Sequence, residues 1–224
     1  GQRIIHILET RMTLGQLYDV DMRLRPSGAS GLLATSLKGF RSYQEESAWT
    51  WEHQALVRAR HVAGDPVVAD AVDAVRRSIL ERERDAVALA EEVVAMRARM
   101  RRELLPAQLP DGEDFDLKQG VGGIVDIEFM VQYAVLAWSR RVPELVRWSD
   151  NIRILETLAN AGLLSEHESS TLVAAYLAFR SAAHQLALQQ LPGRVDGERY
   201  REQRASVEAV WQRLFAAPSG LTEQ

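Results

Sequence analysis

Cysteine is absent from the 224-residue chain, and lysine nearly so, with only Lys38 and Lys118 among 27 basic residues. The first absence excludes disulfides and thiolate metal sites. The second leaves 25 arginines (27 minus 2). Their planar forks suit phosphate and carboxylate, although a GC-rich genome favours arginine codons too, and for most of them ordinary surface charge is the simpler reading. No apolar run reaches the roughly 18 residues of a membrane-spanning helix. Gly1 opens no signal peptide, so cytoplasm is the expected location and a membrane partner is not expected. Excess positive charge is also missing: the formal net charge is −4, which argues against a dedicated nucleic-acid binder. What the chain does have is 46% hydrophobic and 26% charged residues, the balance of a globular protein with a real core. It carries no internal repeat and no low-complexity tract.

Ile4, Ile5, Leu8 and Met12 fall at roughly helical spacing and predict a short helix ended by Gly15. From Gln16 to Arg25 the period changes to two, which predicts a strand with Tyr18, Val20, Met22 and Leu24 on one face. Asp19, Asp21, Arg23 and Arg25 share the other face. Pro26 stops the strand, and Ser27 to Gly31 is a turn. Beyond Thr35 the pattern is helical. Ser36 is positioned to cap one helix, and Trp49 to His61 is a second. Asp65-Pro66 opens a third, with a cap followed by proline at the first helical position. The run from Glu81 to Asp85 is a solvated face or a join, after which Val87 to Leu104 resumes the helical pattern. Ile124 to Ser139 is apolar nearly all round, as a helix buried among others would be. Ser149-Asp150 caps a helix ending at Gly162, Ser165 to Glu168 is a capping box, and Arg199 to Phe215 closes the chain.

The expected fold is mainly α with a small β portion (α+β). Four segments follow: a strand-bearing part over 1–65, connecting helices over 66–105, a linker over 106–123 and a helical bundle over 124–224.

The charged strand face is the one pattern that carries chemistry. Carboxylates at Asp19 and Asp21 suit Mg²⁺, a hard cation that prefers oxygen ligands. Arginines beyond them suit the phosphate oxygens of a nucleoside triphosphate. Nucleotidyl transfer needs this combination. A solvated strand whose acids pair with neighbouring arginines accounts for the same periodicity, and spacing alone does not decide between the two.

YDVDMRLRPSG (Tyr18 to Gly28), the following Gly31-Leu32-Leu33 and WTWEHQALVRAR (Trp49 to Arg60) resemble the nucleotidyltransferase core of the glutamine synthetase adenylyltransferase family. GGIVDIEFMVQYAVL (Gly122 to Leu136), RWSDNIRILE (Arg147 to Glu156) and LALQQLPG (Leu186 to Gly193) resemble the helical part that follows that core. The likeness covers nearly the whole chain, and the YDVD, WTWEHQAL and RWSDN versions look like the C-terminal, adenylylating half. It implies an incomplete nucleotidyltransferase core followed by a C-terminal helical bundle. The family's Gly-Ser-x-x-Asp-x-Asp motif would lie upstream of Gly1, leaving this fragment alone inactive.

By the same resemblance the enzyme moves AMP from ATP, with Mg²⁺, to a tyrosine of glutamine synthetase and so regulates nitrogen assimilation. The implied partners are glutamine synthetase, the PII signalling protein and the other half of the same enzyme. Asp21 matches the third carboxylate of the nucleotidyltransferase pattern and is the foremost candidate for catalysis and metal binding, with Asp19 second. Arg23 and Arg25 match RLRP and would contact phosphates or hold the strand, with Ser27 and Gly28 beside them. Two alternatives stand beside this reading: the adenylyl-removing, phosphorolytic half, and a catalytically incomplete helical module that binds glutamine synthetase.

Secondary candidates are Glu52, Arg58, Arg60, Asp126 and Glu128. The helix macrodipole is enough to account for Asp126 in a first turn. Glu128, on a helix expected to be buried, needs a partner, for which Lys118, Arg153 or a metal are the candidates. The histidines show no metal-ligand spacing, and the five tryptophans are expected in packing roles.

Overall fold

The computed structural model describes residues 1–16, 20–105 and 114–215. Tyr18, Asp19 and the 106–113 part of the expected linker lie outside the described residues. Nine helices are present among the described residues: α1 (Gln2–Glu9), α2 (Leu37–Glu46), α3 (Thr50–Val57), α4 (Pro66–Leu80), α5 (Ala86–Leu104), α6 (Ile124–Trp138), α7 (Asn151–Asn160), α8 (Glu166–Leu188) and α9 (Arg201–Phe215). Two three-residue strands, β1 (Asp114–Asp116) and β2 (Arg194–Asp196), pair antiparallel with Phe115 opposite Val195. The chain is thus mainly α with a small β portion.

The β portion is not where the period of two placed it. Residues 20–25 form no strand but run as irregular chain into a turn. A lone strand cannot bury one face stably without sheet partners, and the charged side chains here close on their own loop instead. The strands that do form are too short to show a period. They are held by packing: Phe115 meets the edge of Phe179 with ring centroids 5.6 Å apart, and Phe179 meets Tyr200 at 5.3 Å.

Helix starts follow short-range chemistry. The side chains of Ser36, Asp65, Asp85, Asp150 and Ser165 each accept from a backbone N–H in the first turn of the next helix. The charge run before Asp85 is therefore a join between α4 and α5. Arg84 there is half-buried and donates to the carbonyls of Ile79, Leu80, Arg82 and Leu136. Burial, then the neighbouring Arg82, lower its pKa to about 10. Arg76 does similar work, donating to Leu56, Val57 and Val146 carbonyls at 2.7–2.9 Å and capping the end of α3.

Helix α6 is the centre of the bundle, packed against α3, α5, α7, α8 and α9. Residues around its whole circumference are buried, from Ile124 and Ile127 to Leu136 and Trp138, which explains why its sequence lacks a polar face. Each fully buried aliphatic side chain of this kind contributes about 1.5–3 kcal/mol. Of the five tryptophans, Trp49 departs from the packing expectation and is 70% exposed.

The turn into α6 requires glycine at 122. Its φ is +74°, and a Cβ there would lie 2.6 Å from the Arg204 carbonyl oxygen and 2.9 Å from Arg204 Cα. Gly122→Ala combines left-handed strain with a backbone clash. The expected loss is about 2–4 kcal/mol of unfolding free energy, read from urea denaturation.

Candidate functional site

The loop that carries Asp21 is built from its own atoms. Arg25 spreads its guanidinium over three carbonyls: Nη1 donates to Met22 at 2.6 Å, Nη2 to Ala29 at 3.1 Å and Nε to Gly31 at 3.2 Å. Ser30 Oγ donates to the Ser27 carbonyl at 2.8 Å. Ser27 and Gly28 both take left-handed backbone (φ 62° and 55°), leading into the short 3₁₀ turn Gly28–Ser30. Arg25 thus braces the loop, and no strand forms there among the described residues for it to hold.

Asp21 is exposed and meets Arg23 as a fork on a carboxylate. Arg23 Nη2 donates to Oδ2 at 2.7 Å, its Nε reaches both oxygens, and its backbone N–H donates to Oδ1 at 2.8 Å. These hydrogen bonds, the side-chain one foremost, hold the Asp21 pKa at about 2, so the carboxylate is charged throughout the neutral range. Asp21 is a single hard oxygen donor. Among the described residues no three His, Asp or Glu side chains converge as metal ligands, and those present do not by themselves compose a magnesium site. Asp19 lies outside the described residues.

Glu52 is buried on α3 and accepts from Tyr43 Oη at 2.8 Å and from the Trp49 N–H at 2.9 Å. Tyr43 of α2 therefore meets the candidate Glu52 of α3 from 9 positions away. Sequence reasoning missed Tyr43; a lone tyrosine on a polar helix gives no signal.

Arg58 leaves α3 and pairs with Glu128 of α6 at 2.9 Å, while Tyr176 of α8 lies 3.4 Å from the same carboxylate oxygen. Gln54 and Gln132 meet beside them at 3.1 Å. Of the candidate partners for Glu128, neither Lys118 nor Arg153 is the one that meets it. The α3–α6 packing brings Arg58 to it from 70 positions away. Arg60 is exposed on the chain that follows α3.

Asp126 is more than a first-turn acid. It is 3% exposed, and its oxygens accept from Arg97 at 2.5 Å, from Arg101 at 2.9 and 3.0 Å and from the Gly122 N–H at 2.8 Å. Arg97 is itself 1% exposed and donates further to the Gln119 side chain and carbonyl. Burial lowers the Arg97 pKa, and Asp126 opposes that shift. The macrodipole reading of Asp126 is thus corrected: the residue neutralises two arginines inside the α5–α6 contact.

His53, 7% exposed on α3, has Nε2 3.0 Å from the Gln44 carbonyl, an acceptor, which fixes the ring as an Nε2–H donor. Burial, ahead of all other causes, lowers its pKa. Below the unfolded-state pKa the unfolded chain then binds the extra proton, so stability rises with pH through that window. The urea midpoint is expected to fall between about pH 7 and about pH 5, and His53→Gln should remove most of that slope.

Comparison with known proteins adds to this geometry. Residues 94–215, just over half of the chain and spanning most of α5 to α9, match the family model described as GlnD PII-uridylyltransferase, and the chain belongs to that family. Residues 1–75, with the Asp21 loop and α3, match the model described as glutamate-ammonia ligase adenylyltransferase. At the level of particular proteins, the chain is 54% identical over 215 residues to the bifunctional glutamine synthetase adenylyltransferase/adenylyl-removing enzyme of Nitrosococcus oceani. It is 54% identical over 223 residues to that of Pseudomonas syringae pv. tomato and 51% over 220 residues to that of Hahella chejuensis. Each match covers 96% of this chain but only 22–23% of the relative, so the chain spans less than a quarter of the length of these proteins. The resemblance read from the motifs is borne out, while the uridylyltransferase likeness of the bundle was not among the expectations. No helix among the described residues is long and apolar enough to cross a membrane.

Proposed function

We propose that this chain forms part of an enzyme that transfers AMP from ATP to a tyrosine of glutamine synthetase and thereby regulates nitrogen assimilation. The observation that carries the reading is 51–54% identity, over 96% of the chain, to relatives named for adenylylating and de-adenylylating glutamine synthetase. In the reaction the tyrosine oxygen forms a bond to the α-phosphorus, the α–β bridging bond breaks and pyrophosphate leaves. Catalysis of such transfers is mostly positioning and charge stabilisation.

In this reading Asp21 contributes one carboxylate to a magnesium–nucleotide site that residues outside this chain complete. Arg23 turns from Asp21 to the triphosphate, an exchange made easy because the exposed pair is weak. Arg25 shapes the loop, and Ser27 and Gly28 present its turn. Glu52 holds Tyr43 of α2, Arg58 and Glu128 tie α3 to α6, and Asp126 ties α6 to α5, with Arg60 exposed on the chain after α3. PII, the other half of the enzyme and a cytoplasmic location belong to the same proposal.

The relatives' names carry both activities, which keeps the adenylyl-removing reaction as a second reading. The intact mass of glutamine synthetase separates them. A gain of one AMP is expected on incubation with the full-length enzyme, ATP and Mg²⁺, and this gain should be abolished by substitution in the Asp21 loop. If the same substitution spares AMP addition but blocks AMP release by phosphate without ATP, the removing half is the correct assignment.

A further inference from the structure

Arg60 lines a cavity for which the proposed AMP transfer has no use. The cavity lies between α2, the end of α3 and α4, and its volume is about 180 Å³. Its walls are apolar: Phe40 of α2, Leu56 of α3, and Val68 and Val72 of α4. Val68 is 54% exposed, so apolar surface is left wet in a concave setting. The shape is held from behind. Arg76 of α4, itself 5% exposed, donates to the Leu56 and Val57 carbonyls and fixes the end of α3. Asp65 caps α4 through the Val67 N–H. An engineered apolar cavity of about 150 Å³ takes benzene, whereas pockets for drug-sized ligands run to about 300–1,000 Å³. The space therefore suits one ring rather than a nucleotide.

Charge decides the other half of the ligand. Arg60 and His61 are exposed at this cavity and make no hydrogen bond or ion pair among the described residues. Arg76 adds positive potential from within the wall, each of its guanidinium nitrogens already held by a carbonyl. The two acids that line the cavity are engaged: Asp65 in its cap, and Asp73 with Arg77 Nε at 2.7 Å, its other oxygen 3.6 Å from Arg76. We propose that this cavity binds a free single-ring carboxylic acid, with its ring against Phe40, Leu56 and Val72 and its carboxylate on the Arg60 guanidinium. Binding is read without catalysis, so its failure and that of the proposed AMP transfer are separate results. Phenylacetate is the probe, titrated into the isotope-labelled 224-residue chain while backbone amide shifts are followed by NMR. Saturable shifts at the lining segments of α2, α3 and α4 are expected, with a Kd of about 0.1–1 mM for so small a ligand. Arg60→Ala should weaken binding about tenfold, the scale of one charge-assisted hydrogen bond. Its urea midpoint should hold, because Arg60 has no partner to lose among the described residues. Phenylacetamide, which keeps the shape and loses the charge, should bind about tenfold more weakly as well. Ala69→Phe, which fills the cavity from α4, should abolish the shifts. No saturation by about 10 mM phenylacetate, or shifts centred away from these segments, overturns the site. Equal binding of phenylacetate and phenylacetamide, or equal binding by Arg60→Ala, overturns the acid as its ligand. Tighter binding of a blocked Glu-Phe-Glu peptide would assign the cavity to a protein segment and overturn the free acid.

Discussion

Asp126→Ala is expected to lower the unfolding free energy by about 3–5 kcal/mol, the cost of leaving buried charge without its partner. The carboxylate neutralises Arg97, which is 1% exposed, and Arg101, whose side chain is 30% exposed, and it receives the Gly122 N–H. Removing it leaves two guanidinium groups facing one another in a low-dielectric contact and frees a backbone donor at a turn that is already left-handed. Asp126→Asn should cost nearly as much, because the amide restores the shape but not the charge. Arg101→Ala should cost less, since that side chain reaches water. The check is urea denaturation of all three variants with the slope compared to the parent. A loss for Asp126→Ala below about 1 kcal/mol would match an exposed ion pair and would sink the account of a buried cluster.

Asp21→Asn is expected to reduce AMP addition by the full-length enzyme about 10²–10³-fold, the range seen when one charge-stabilising group is removed from a reacting centre. Folding should be unaffected, because the side chain is exposed and its partner is the neighbouring Arg23. Asparagine keeps an oxygen for the Arg23 N–H and loses the negative charge that Arg23 sustains down to about pH 2. For the same reason Asp21 itself gives no acid limb to the activity profile in the neutral range. Steady-state rates with ATP varied, alongside thermal melts of both proteins, make the comparison. Wild-type turnover by a folded Asp21→Asn enzyme rejects the role.

The sequence was most informative where the interaction is local. Ser36, Asp65, Asp150 and Ser165 announced their helices because a cap needs only the next three residues. The uniform apolar character of residues 124–139 announced α6 as the central element. Partners across the fold were not legible. Asp126 meets arginines 25 and 29 positions away, and Glu128 meets one 70 away, distances at which spacing carries no information. The period of two at 16–25 was real as a pattern, yet a pattern cannot supply the neighbouring strand that would turn it into a sheet. The arginine content was ambiguous for a different reason. Arg25, Arg76 and Arg84 serve backbone carbonyls, a use that composition cannot distinguish from phosphate binding. The candidate site was named from resemblance, and Tyr43, whose hydroxyl donates to Glu52, came only from the structure.

Because α6 touches helices before it and helices after it, the order of events in folding is constrained. Its faces meet α3 and α5, which precede it in the chain, and α7, α8 and α9, which follow it, so both sets must arrive before every face of it is dry. An assembly intermediate lacking either set exposes a strip of Ile, Val, Phe and Leu from a helix with almost no polar side chain to shield it. Such a species is prone to associate with its like. Synthesis of this chain therefore has a vulnerable interval, beginning when α6 leaves the ribosome and closing only when α9 has docked.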